Sequence, residues 1–96
     1  ELTEIKFEKI NNDTVIVEAK TSLEYIKNRL KITSKQLTNE ELDTLGGYII
    51  SLVGRVPVSG EVLRDFQTGL EFEILDADPR KIILVKIRGL SKINDK

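Results

Sequence analysis

Apolar and polar residues along this chain alternate, then recur twice at helical spacing, then alternate again. Ile5 and Phe7, with Leu2 ahead of them, alternate with Lys6 and Glu8, which predicts a half-buried strand. Asn11, Asn12 and Asp13 form a turn cluster, and residues 14–19 follow as a second strand, so the two read as a hairpin. Val15, Ile16 and Val17 stand in succession, and both faces of that strand are expected to be covered. Thr21 and Glu24 have capping-box spacing and open a short helix with Leu23, Ile26 and Leu30 inward, joined by Tyr25. Lys27, Arg29 and Lys31 lie toward its C-terminal end, where the helix dipole favours cations. Residues 32–36 are a polar connector, and Leu37 is placed as a hydrophobic staple ahead of Thr38.

The stretch DTLGGYIISLVGRVPVSGE, residues 43–61, organises the rest. Thr38 and Glu41 repeat the capping-box spacing, and Glu40, Glu41 and Asp43 place negative charge in the first turns of a second helix. Leu42, Leu45, Ile49, Leu52, Val53 and Val56 make its apolar stripe. Gly46 and Gly47 interrupt it, each at about 1 kcal/mol relative to alanine. Two reasons for such a pair stay open: close approach of another backbone, or a ligand or partner chain resting on Gly46, Gly47 and Tyr48. Gly54 is a left-handed stop, and Pro57 prevents continuation soon after.

Beyond the helix, residues 61–65 predict a short strand, and Gln67, Thr68 and Gly69 turn the chain. Leu70, Phe72 and Ile74 alternate with Glu71 and Glu73, a strand with one wet face. Residues 76–80 are a loop, because Pro79 biases Asp78 away from helix. Residues 82–87 are the most apolar strand, expected to be central and covered on both faces. The order is β-β-α-α-β-β-β: a single α+β domain over residues 1–90, a mainly antiparallel sheet packed against two helices, with a polar tail over 91–96.

Composition narrows the chemistry. The 96 residues carry a net charge of −1, so no field exists to draw in nucleic acid. Their longest apolar runs are too short to insert into a bilayer. Cysteine and histidine are both absent, which removes thiolate metal sites and the commonest nucleophile and proton-transfer groups. The chain starts at Glu1 and contains no methionine, so it is expected to be a processed product or a domain of a longer protein. The P-loop pattern fails because Ser59 stands five residues after Gly54, and no GxGxxG follows a strand. A calcium loop from Asp76 would need glycine at Lys81 and glutamate at Ile87, so no metal site is assigned. A weak cation site at Asp76 and Asp78 competes with a simpler role, an aspartate bracing its own turn. An anionic ligand meeting Arg55, Pro57 and Gly60 in the loop, with Arg80 as a second contact, competes with a simpler role for the two arginines as surface charges or local ion pairs.

Thr44-Leu45-Gly46-Gly47-Tyr48-Ile49, then Leu52-Val53-Gly54-Arg55-Val56-Pro57 and Gly60-Glu61, resembles the hallmark of the CorC/HlyC transporter-associated domain. Phe72-Glu73-Ile74, Asp76-Ala77-Asp78 and Arg80-Lys81-Ile82 are similar to the same family's later strands and acidic turn. Glu18-Ala19 departs from it, standing where an Asp-Gly turn is frequent. The resemblance implies a non-catalytic accessory or regulatory domain of a magnesium or cobalt efflux protein, on the cytoplasmic side and membrane-associated through its parent. Implied partners are paired CBS domains and a transmembrane module of the parent chain, with homo-oligomerisation as a further mode of assembly. The fold is likened to a subdomain of PCMH-type FAD-binding domains, which makes FAD or an adenine nucleotide the alternative ligand.

Overall fold

The computed structural model describes residues 7–30 and 43–90. Strands β1 (Phe7–Lys9), β2 (Thr14–Glu18), β3 (Val62–Arg64), β4 (Glu71–Ala77) and β5 (Ile82–Arg88) form one sheet, with helices α1 (Leu23–Leu30) and α2 (Leu45–Val53) between β2 and β3. The sheet order is β1-β2-β5-β4-β3, with every neighbouring pair antiparallel. The most apolar strand, β5, is central as its composition predicts.

Side-chain alternation sets which face is buried. Val15, Val17, Phe72, Ile74, Val85 and Ile87 join Leu23 and Ile26 of α1 and Leu45, Tyr48 and Ile49 of α2 in one core. The Tyr48 and Phe72 rings meet edge to face with centroids 6.3 Å apart, tying helix to sheet.

Among the described residues no second layer covers the other face, where β2 and β5 were expected to be buried as well. Ile16 and Glu18 on β2, and Leu84, Lys86 and Arg88 on β5, are only half-buried. Cross-strand pairing explains it: the register sets Thr14 against Arg88 and Arg88 against Glu71, then Lys86 against Glu73. Charges of alternating sign follow across that face, with Arg64 to Glu71 at 3.5 Å, Arg88 to Glu71 at 3.1 Å and to Glu73 at 2.7 Å, and Lys86 to Glu73 at 4.0 Å. Among the described residues, the short apolar run marks a central strand with one face in the core.

Both helices begin later than their sequence signals. The Ser22 hydroxyl accepts the Tyr25 N–H at 3.0 Å, so Ser22 rather than Thr21 caps α1. Thr21 is buried instead, and its hydroxyl has no partner among the described residues. Tyr25, expected inward, is exposed at the surface, where its ring meets Phe7 edge to face. Helix α2 is capped by Thr44, whose hydroxyl accepts the Gly47 N–H at 3.1 Å. Its first turn therefore holds no acidic residue, and Asp43 lies before it. The expected capping box of Thr38 and Glu41, the staple Leu37, Lys31 and the tail 91–96 lie outside the described residues. Leu52, assigned inward, is 39% exposed, and the buried set runs through Leu45, Gly46, Tyr48 and Ile49. Gly54 ends α2 in the left-handed conformation, its N–H on the Ile50 carbonyl at 2.7 Å. Strand β4 runs to Ala77, so residues 76 and 77 belong to a bulged strand end and not to the following turn.

Among the described residues no helix is long and apolar enough to cross a membrane.

Candidate functional site

The family-like residues fall into three places. At the first, the start of α2 meets the chain leaving β2. The Leu45 N–H donates to the Thr21 carbonyl at 3.0 Å and the Gly46 N–H to the Ala19 carbonyl at 2.9 Å. Gly47 donates to the Thr44 hydroxyl and Tyr48 to the Thr44 carbonyl, so all four first-turn donors are satisfied within the chain. A Cβ on Gly46 would stand 3.2 Å from Ala19 Cβ and 3.3 Å from its carbonyl oxygen. Backbone approach is the reason for glycine at position 46, and Gly47 beside it is half-buried.

At the second place, Tyr48 is 6% exposed, and its hydroxyl donates to Asp65 Oδ2 of the β3–β4 connection. Asp65 is 1% exposed, and its Oδ1 accepts the Gln67 N–H at 3.0 Å. Burial, and then the bond to Asp65, push the Tyr48 phenol well above its ordinary range. Sequence reasoning missed Asp65; the only local signal was a carboxylate two residues before a turn.

The third is the loop from Gly54 to β3. Pro57 is buried, and Gly60 adopts φ 93° where it and Glu61 together oppose Ile74. The Gly60 N–H donates to the Ile74 carbonyl at 2.7 Å and the Ile74 N–H to the Glu61 carbonyl at 2.8 Å, a bulge whose first position favours glycine. Arg55 grips Glu61 with both guanidinium branches, and Glu61 Oε1 also accepts the Val58 N–H at 2.9 Å. The guanidinium first, and the Val58 amide second, hold the Glu61 carboxyl down to about 2. The Arg55 charge is thus answered inside the loop.

Arg80 sits exposed in the turn before β5, at the same end of the sheet, since Ser59 Oγ accepts the Ala77 N–H at 3.1 Å. Asp78 Oδ1 accepts the Arg80 and Lys81 N–H groups, each at 2.8 Å, and these bonds lower its carboxyl below the ordinary range. The aspartate braces its own turn. Among the described residues no three Asp, Glu, His or Cys side chains are grouped to hold a metal ion. The structure therefore brings Arg55, Pro57, Gly60 and Arg80 to one end, while Gly46 and Tyr48 face the interior.

Residues 8–91 match the family model for the transporter associated domain, CorC_HlyC. Hemolysin C of Rickettsia prowazekii is 34% identical over 96 residues, which is 98% of this chain but 30% of that protein. This chain thus spans under a third of that relative's length. Among solved structures, a region from Neisseria meningitidis named as associated with the Mg2+ and Co2+ transporter CorC is 26% identical with a TM-score of 0.73, covering 86% of this chain and 96% of that one. The transporter associated domain of a CBS domain protein from Porphyromonas gingivalis is 25% identical with a TM-score of 0.74, covering 86% and 95%.

Proposed function

The chain belongs to the transporter associated domain family, and from that premise we propose that it is a non-catalytic accessory domain of a CorC/hemolysin-like ion-transport protein. The parent handles magnesium or cobalt efflux, and this domain acts on its cytoplasmic side by contact with the parent's other domains, paired CBS domains among them. Likeness to the Neisseria and Porphyromonas domains, one named with a Mg2+ and Co2+ transporter and one from a CBS protein, supports the assignment.

The observation that carries the non-catalytic reading is the use made of the family-like residues. First-turn amides of α2 are closed by Ala19, Thr21 and Thr44, and Arg55 is closed by Glu61. Both groups that would otherwise meet an anion are engaged in holding the domain's own shape.

Deleting this segment from its parent and measuring Mg2+ and Co2+ efflux tests the proposal. Altered efflux, together with binding of the segment in trans to the remainder of the parent, is the expected result. Unchanged efflux and no binding overturn it. Melting with FAD, ATP or AMP at about 1 mM tests the alternative ligand reading, since a ligand at 100 times its dissociation constant adds about 2.7 kcal/mol. A clear shift with one of them would make this domain a sensor.

A further inference from the structure

Strand β3 ends the sheet order, with β4 on one side. Two bonds fix which of its backbone groups point inward: the Ile74 N–H donates to the Glu61 carbonyl, and the Asp65 N–H to the Leu70 carbonyl, each at 2.8 Å. Both lie in the register that sets Leu63 against Phe72. Inward and outward groups alternate in an antiparallel ladder, so Leu63 also faces β4 and the N–H and C=O of Val62 and Arg64 face the edge that no other described strand covers. Val62 on β3 is 49% exposed, and Val58 before the strand and Phe66 after it are 64% and 88% exposed. Hydrogen bonds tie the turn on both sides of Phe66: the Asp65 carboxyl accepts the Gln67 N–H, the Gly69 N–H donates to the Asp65 carbonyl at 2.7 Å, and the Tyr48 hydroxyl donates to Asp65.

We propose that the β3 edge is a two-fold contact between two copies of this chain, β3 pairing antiparallel with its own copy about Leu63. Register and charge select this occupant. With Leu63 opposite Leu63, Val62 of each copy faces Arg64 of the other, and the outward groups of both meet in four N–H···O bonds. A one-residue slip sets outward groups against inward ones. Slipping by two residues one way puts Arg64 opposite Arg64, which is unfavourable for like charges directly across a ladder. Slipping the other way sets Arg64 against Gly60, within the bulge. The centred register also carries Phe66 toward Gly60 of the second copy, where nothing lies within 4 Å of the Cβ position.

A net charge of −1 per chain sets little long-range repulsion against this contact. Natural edges are blunted by shortness, charge and bulges. Here the bulge at Gly60 limits the ladder, and the two-fold consumes the outward groups of both copies. Association therefore closes at two and does not propagate.

Sedimentation equilibrium of this chain up to about 1 mM, read beside amide chemical shifts over the same dilution series, tests the proposal. Mass should rise toward twice the monomer, with the Val62 and Arg64 amides shifting together. A mixture of labelled and unlabelled chains should show contact between the Leu63 Hα atoms of two copies. Val62→Lys, at an exposed position, should weaken association at least about tenfold while leaving the melting curve in place. If Val62→Lys melts early, Phe66→Ser serves as the second variant, with the same loss expected. A monomer throughout the series, a dimer indifferent to a folded variant, or shifts confined to another surface would each overturn the proposal. So would an edge that responds only to the rest of the parent protein.

Discussion

Tyr48 on α2 donates its hydroxyl hydrogen bond to Asp65, seventeen residues away and beyond the end of β3, with both side chains buried. Removing that hydroxyl leaves a buried carboxyl oxygen without its donor. Tyr48→Phe is expected to lower stability by about 2 kcal/mol in urea unfolding, more than removal of an exposed hydroxyl would.

The same pair sets an alkaline limit. Folding raises the Tyr48 phenol above its ordinary value of 10.0, so the folded state binds the proton more tightly than the unfolded chain. The stability this confers is complete below pH 10 and is lost as pH rises above it, at up to about 1.4 kcal/mol per pH unit. Unfolding free energies at pH 9, 10 and 11 should show the fall, and Tyr48→Phe should flatten it.

Gly46 against Ala19 tests the backbone approach. Ala19 cannot withdraw easily, because its N–H donates to the Ile83 carbonyl and its carbonyl accepts the Gly46 N–H, both at 2.9 Å. Gly46→Val should cost about 2–3 kcal/mol through overpacking, as read by urea midpoints. Gly46→Ala should fall between it and the native chain, since a gain of about 1 kcal/mol in helix propensity opposes the crowding.

Thr21 and Thr44 should respond in opposite directions although both precede a helix. Thr44→Ala removes the α2 cap and is expected to cost about 1 kcal/mol. Thr21→Val replaces a buried hydroxyl that has no partner among the described residues with a methyl of similar shape. It should raise stability by about 1 kcal/mol, because desolvation of the hydroxyl is no longer required. Thermal melts of the two variants side by side decide it.

Glu61 should titrate with a midpoint near 2, measured by carboxyl chemical shifts. Its ordinary value is 4.5, so its contribution is complete above that pH and is lost as pH falls toward 2. In Arg55→Gln the midpoint should move up toward the ordinary value, because the largest cause of the depression is gone. An unchanged midpoint would mean that the guanidinium does not hold this carboxyl.

Much of the fold was legible in the chain itself, because it rests on local regularities. Alternation marked β1 and β4, unbroken apolar runs marked β2 and β5, and the apolar excess of β5 put it at the centre. Gly54 ended α2 where its freedom at positive φ allows, and the hairpins followed from turn residues close in sequence. The glycine pair and the loop after it carried the family. What local pattern could not rank was competition between neighbours: Ser22 capped where Thr21 had the better box spacing, because Thr21 was drawn into the interior. Nor could it tell a central strand from one covered twice, since the second layer depends on where the helices lie. Tyr48 with Asp65, Arg55 with Glu61, and Gly46 against Ala19 join segments brought together only when the helices close on one face of the sheet. Their partners were decided by packing and desolvation, which act across space and leave little trace in spacing along the chain.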